Sequence, residues 1–118
     1  MPESIGSLKY LQSIDLGRCY SLLTLPTSIA ALRQLKTLNL YRCASLQSLP
    51  PLGTLLLLEE LDLGKCVSLR SLPEGAAGLP ELSIFNLEGC SLLPLNERIT
   101  YQMPQGMAMR ERHRARDR

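Results

Sequence analysis

One pattern constrains this chain more than any other: a unit of 23 or 24 residues recurs along it. Leu11, Leu35, Leu58 and Leu82 stand 24, 23 and 24 residues apart, and Cys19, Cys43, Cys66 and Cys90 keep the same steps. So do Leu16, Leu40, Leu63 and Leu87, while Ile14, Leu38, Leu61 and Phe85 are apolar in every copy. Pro26, Pro50 and Pro73 match, each preceded by Leu. The step of 23 arises between Pro50 and Leu55, where PPLGTL replaces the PTSIAAL of the preceding copy. Within a unit the apolar positions follow neither a helix period nor plain alternation. Leu32, Leu35, Leu38, Leu40, Cys43, Leu46 and Leu49 fit one turn of a stacked array, in which each unit buries its apolar side chains only against its neighbours.

The pattern LxxLxLxxCxxL resembles the leucine-rich repeat family over residues 2 to about 93. Within it, CxSLxxLPxxIxxL with Cys in place of the usual Asn is similar to the repeats of plant intracellular immune receptors. Those are the nucleotide-binding disease resistance proteins, especially the kind with an N-terminal TIR domain. The matching stretches run from Cys19 to Leu32, Cys43 to Leu55 and Cys66 to Leu79. The fold implied is α/β: a right-handed solenoid with a parallel sheet of short strands on its concave face. Its convex segments are expected to be irregular or short-helical. The function implied is non-catalytic protein–protein recognition, as the ligand-sensing and autoinhibitory repeat region of a cytoplasmic receptor in plant defence signalling. A scaffold that assembles signalling partners is the alternative.

The repeats place the boundaries. A partial coil covers residues 1–7, where PESIGSL aligns with PTSIAAL and PEGAAGL, and four coils start at Leu8, Leu32, Leu55 and Leu79. The opening on the back half of a coil reads as a fragment of a longer array. Its uncapped ends are expected to self-associate. Each coil should contribute a strand. Ser13, Asp15 and Gly17 would point outward from the first, Thr37, Asn39 and Tyr41 from the second, Glu60, Asp62 and Gly64 from the third, and Ile84, Asn86 and Glu88 from the fourth. Thr27 to Leu32 should form a helical turn, whereas Pro50-Pro51 should be extended. Ala76, flanked by Gly75 and Gly78, should leave a thinner, looser convex wall. The register fails at Asn96 and Glu97, so 94–102 should form a lid using Leu95, Ile99 and Tyr101, or a frayed end. Residues 103–118 read as a disordered Arg-rich tail.

Length and charge narrow the function classes. The chain has 118 residues, 45% of them apolar, with one Phe, four Tyr and no Trp, so leucine fills the interior. Net charge is +2. Residues 1–93 hold seven Lys/Arg and eight Asp/Glu, and the excess of Arg lies in the tail. Four cysteines in one register should all point into the core, reduced and metal-free. Zinc sites use close pairs, and these stand a whole coil apart. MPESIGS is no secretory signal, and no apolar run exceeds four residues, so no membrane association is expected. The one histidine, His113, lies in the tail, and no phosphate-binding loop occurs. No catalysis, cofactor or small-molecule substrate is expected. Nor is nucleic acid, since no aromatic platform accompanies the tail arginines.

The concave face carries the candidate site. Its central row is Asp15, Asn39, Asp62, Asn86, an alternation that avoids adjacent like charges. Beside it runs a basic row, Arg18, Arg42 and Lys65, interrupted at Gly89. Glu60 and Glu88 add acidic flanks. Tyr41 with Arg42 is the expected anchor for a protein partner, because aromatic residues and Arg dominate interface hot spots.

Overall fold

The computed structural model describes residues 3–93. The expected lid at 94–102 and tail at 103–118 lie outside the described residues. Four short strands form one parallel sheet in the order β1–β2–β3–β4: β1 Ser13–Asp15, β2 Thr37–Asn39, β3 Glu60–Asp62 and β4 Ile84–Asn86. The register follows the repeat. Ile14 pairs with Leu38, Leu38 with Leu61 and Leu61 with Phe85. The strands are shorter than the sequence suggests, but the hydrogen-bond ladder outruns them. Leu16 N–H donates to Asn39 O, Leu40 N–H to Asp62 O and Leu63 N–H to Asn86 O, at 2.8–2.9 Å. Two residues further on, Arg18, Arg42 and Lys65 N–H donate to the carbonyls of Tyr41, Gly64 and Glu88.

The three-residue spacings explain why no regular element continues through a unit. Leu8–Leu11, Leu32–Leu35, Leu55–Leu58 and Leu79–Leu82 each close a tight turn, with the second N–H donating to the first carbonyl. Cys19–Leu22, Cys43–Leu46, Cys66–Leu69 and Cys90–Leu93 do the same. A turn of that size brings residues i and i+3 to one side, so the LxxL and CxxL pairs of the second, third and fourth repeats face inward, while Leu8 is exposed. The sheet's apolar face, from Ile14 to Phe85, packs against these turns, and Leu35, Leu38, Leu40, Leu58, Leu61 and Leu63 are fully buried. Burying a leucine side chain contributes roughly 1.5–3 kcal/mol, so a repeat with six such positions is held chiefly by its two neighbours. Among the described residues, the first repeat meets only the short 3-10 helix Glu3–Ser7 on its outer side. Its Leu11, Leu16, Cys19 and Leu22 are only partly buried, although their later equivalents are buried.

The cysteines have a specific task. Cys43 Sγ donates to Leu16 O at 3.1 Å, Cys66 Sγ to Leu40 O at 3.1 Å and Cys90 Sγ to Leu63 O at 2.9 Å. Each of those carbonyls also accepts the N–H of the cysteine in its own repeat. The thiol thus ties the end of one strand to the turn of the next. Burial pushes the Cys43 and Cys66 thiols upward from their ordinary pKa, which keeps them in the protonated form that can donate.

The connections differ in the way their prolines and glycines dictate. Residues Thr27–Ala31 form a short 3-10 helix after Pro26, and residues 46–52, around Pro50-Pro51, form no helix or strand. In the third connection Ala76 is fully buried, and the backbone at Gly75 comes close to that at Gly53. A Cβ at Gly75 would fall 2.7 Å from Gly53 Cα, and Gly75 has φ +85°. Glycine is required there both for space and for the left-handed backbone.

Two predictions follow from this packing. Gly75→Ala should cost about 2 kcal/mol or more in urea unfolding, since it combines a backbone clash with strain. Gly78→Ala, with open space around its Cβ position, should be neutral or stabilise by up to ~1 kcal/mol. Equal effects at both positions would contradict the Gly53–Gly75 contact. For the thiols, Cys19 is half-buried and Cys43, Cys66 and Cys90 are buried, so one thiol should react promptly with a soluble disulfide reagent and three only on unfolding. Because the folded pKa values of Cys43 and Cys66 are raised, their contribution to stability is complete below the unfolded thiol pKa. It is lost as pH rises above about 8.5. Stability that stays flat up to pH 10 would overturn this.

Candidate functional site

The outward face is built by the same register as the core. Side chains at equivalent positions form rows across the strands, about 4.8 Å apart from strand to strand. The central row is a hydrogen-bonded structure in its own right. Asn39 Nδ2 donates to Asp15 Oδ1 at 3.0 Å, and Asn86 Nδ2 to Asp62 Oδ1 at 2.9 Å. Every member also accepts a bond from the backbone two residues on: Gly17 N–H donates to Asp15 Oδ1, Tyr41 N–H to Asn39 Oδ1, Gly64 N–H to Asp62 Oδ1 and Glu88 N–H to Asn86 Oδ1, at 2.9–3.0 Å. This side-chain turn bends the chain off the sheet after each strand. Asp and Asn are suited to it because each offers an acceptor at the right reach. The alternation allows each Asn amide to bond an Asp carboxylate.

That commitment corrects the expectation of a uniformly exposed row. Asp15 is exposed and Asn39 half-buried, but Asp62 is 4% exposed and Asn86 fully buried. Glu88, expected to face solvent, is buried as well. Tyr41 is part of the reason. It is half-buried, and its ring lies over Gly64: a Cβ there would fall 2.8 Å from Tyr41 Cδ1 and 2.6 Å from Asn86 Nδ2. The Gly17, Tyr41, Gly64, Glu88 row therefore alternates small and large for packing. Tyr41 serves as a cover for the polar ladder beneath, not as a freely projecting aromatic.

The basic row also has a backbone meaning that the side chains conceal. Arg18, Arg42 and Lys65 have φ of +64°, +62° and +57°, and Gly89 at the equivalent place has φ +79°. The turn after every strand thus needs a left-handed residue. An L-residue other than Gly is disfavoured there by roughly 1–2 kcal/mol. Arg18 and Arg42 project into solvent and Lys65 is half-exposed. The Arg42 guanidinium lies 5.5 Å from the centroid of the Tyr41 ring, within cation–π range. Tyr41, through a side-chain hydrogen bond first, pushes the Arg42 pKa up, and Tyr20 adds to this.

Of the ten residues proposed from sequence, the structure places Asp15, Arg18, Asn39, Tyr41, Arg42, Glu60 and Lys65 with some exposure on one face. Asp15, Asn39 and Glu60, with Ser13 and Thr37, line a shallow groove of about 230 Å³ over β1 to β3. A larger concavity, about 650 Å³, lies between residues 21–27 and 48–50 in the connections. It contains no titratable side chain. Sequence reasoning gave no site there, and no residue type in it signals one. Among the described residues, no group of three or more His, Cys, Asp or Glu is placed to hold a metal ion, and no helix is long and apolar enough to cross a membrane. No protein-family model matches this chain, and no curated protein matches it.

The ladder predicts a division between two substitutions. Asp62→Ala removes the acceptor of Gly64 N–H and Asn86 Nδ2 in a buried place and should cost about 1–3 kcal/mol. Tyr41→Ala should cost about 1–2 kcal/mol through lost burial. Asp15→Ala, at an exposed edge, should cost less than either. If Tyr41→Ala unfolds at the wild-type urea midpoint, the ring does not cover the ladder.

Proposed function

We propose that this chain is a right-handed leucine-rich-repeat solenoid, with the outward side of its sheet as a concave protein-recognition face. The observation that carries the reading is the identity of the three strand junctions. β1/β2, β2/β3 and β3/β4 are all parallel, in sequence order and displaced by one repeat. Such a face combines a rigid frame with outward positions that the frame leaves free to vary. Ser13, Thr37, Glu60 and Ile84 occupy one row with four different side chains. Rigid, pre-positioned groups lower the ordering cost of binding. The resemblance of the Cys-x-Ser-Leu-x-x-Leu-Pro stretches to plant resistance receptors supports a role as the sensing and autoinhibitory region of a cytoplasmic immune receptor.

Thr37 lies at the centre of the groove, is half-exposed, and bonds Ser13 Oγ at 2.7 Å through its hydroxyl. Thr37→Arg should fill the groove at little cost in stability and weaken binding to a purified partner at least tenfold by titration calorimetry. Arg70→Glu, on an exposed connection, should leave binding unchanged. The reverse pattern would move the binding surface to the connections.

A further inference from the structure

The left-handed turns carry an inference about partner chemistry, which rests on the recognition reading above. Four equivalent turns require a residue that tolerates positive φ, and the chain places glycine at one and a cation at three: Arg18, Arg42 and Lys65. Gly89 shows that the turn forms without any side chain. The turn itself therefore does not require the cations, and its backbone is disfavoured by them. Neither Arg18 nor Lys65 has an ion-pair partner among the described residues, and Arg42 is oriented by the Tyr41 ring. Successive cations stand on adjacent strands' ends, about 4.8 Å apart. Two residues on from the first and third of them are Tyr20, 55% exposed, and Val67, 46% exposed. Two exposed apolar side chains, with half-buried Ala44 at the equivalent place between them, thus lie beside the cations.

We propose that this edge, formed by Arg18, Arg42 and Lys65 with Tyr20 and Val67, docks an acidic segment of a protein partner in which carboxylates alternate with apolar residues. Carboxylates match guanidinium groups in paired hydrogen bonds. The apolar residues of the segment would cover Tyr20 and Val67. A nucleic acid fits less well. Residues 1–93 hold seven Lys/Arg against eight Asp/Glu, so there is no general attraction for a polyanion. The exposed Asp15 carboxylate adds a negative charge to the outward face.

The test uses three fluorescent probes: a ten-residue peptide of alternating Asp and Leu, the same peptide with Asn for Asp, and a twelve-nucleotide single-stranded DNA. The full chain is compared with the triple variant Arg18→Gly, Arg42→Gly, Lys65→Gly, which preserves the turn while removing three charges. A control variant, Arg33→Ser, Lys36→Ser, Arg70→Ser, removes three exposed cations elsewhere. The acidic peptide should bind the wild type and the control alike, at least tenfold more weakly to the glycine variant, and tighter than either other probe. The glycine variant should melt no lower than the wild type. Should it fail to fold, Asn at the same three positions, which also tolerates positive φ, provides the comparison. Equal peptide affinity for the glycine or asparagine variant and the control, or tighter binding of the DNA, overturns the proposal. If Thr37→Arg still blocks a protein partner in that case, the recognition face stands and only the acidic-segment inference falls.

Discussion

Each repeat can satisfy its backbone only through the next one, and most of the structure follows from that. A strand of three residues makes too few bonds to persist alone. Here its ladder is extended at both ends. Gln12 O accepts from both Lys36 and Thr37, Lys36 O from both Glu59 and Glu60, and Glu59 O from both Ser83 and Ile84. Beyond the strands, the leucine carbonyls at Leu16, Leu40 and Leu63 receive a thiol from the following repeat. On the connection side, Gln47 N–H reaches Leu23 O and Arg70 N–H reaches Gln47 O. A repeat is thus bonded to its neighbour at several places around its circumference, and leucine fills the space between. Stability in such an arrangement is a sum of nearest-neighbour terms.

The same constraint decides what the outward face can and cannot present. The chain must leave the sheet after every strand, and it does so by a side-chain turn at Asp or Asn followed by a left-handed residue. Two of the rows that look like a binding surface are therefore partly occupied with folding. Asp62 and Asn86 are buried in that task. The positions left free are those the turn does not use: the first strand residue, the side chain on the left-handed residue, and the residue two beyond it. Variation is concentrated there, with Ser, Thr, Glu and Ile at the first and Tyr, Ala, Val and Leu92's neighbour Ser91 near the last.

How much was legible in advance divides along that line. Parallel strand order, register, the inward leucines and the inward direction of Cys43, Cys66 and Cys90 could all be read from the spacing, because repetition converts a one-dimensional step into a lateral neighbour. The hydrogen-bonding of the central row was visible only as an alternation of acid and amide, and it was read as charge relief. The structure shows the direct bond. The left-handed turn was present in the sequence as Gly89 aligned with Arg18, Arg42 and Lys65. A glycine in register with three cations looked like an interruption of the basic row, when it was the clue to the backbone beneath it. Likewise the Tyr41–Gly64 contact was encoded as a large residue beside a small one. That signal is weak without coordinates, since small residues occur on faces for many reasons.

Cysteine at the turn gives the ladder a different donor from the one an asparagine would supply. An amide donates two N–H bonds and remains neutral at any pH. A thiol donates one weak bond and is a donor only while protonated. Its compensation is apolar: the sulfur packs into the leucine core, and Cys43, Cys66 and Cys90 are fully buried. At Cys43 and Cys66 burial protects the donor by raising the pKa, so packing and hydrogen bonding reinforce one another. The arrangement has a corollary at the edge. Cys19 holds the same position but has no preceding leucine carbonyl among the described residues, and it is only half-buried. Among the described residues, the cysteines that donate to a leucine carbonyl of the preceding repeat are the ones that are fully buried, so the bond and the burial go together.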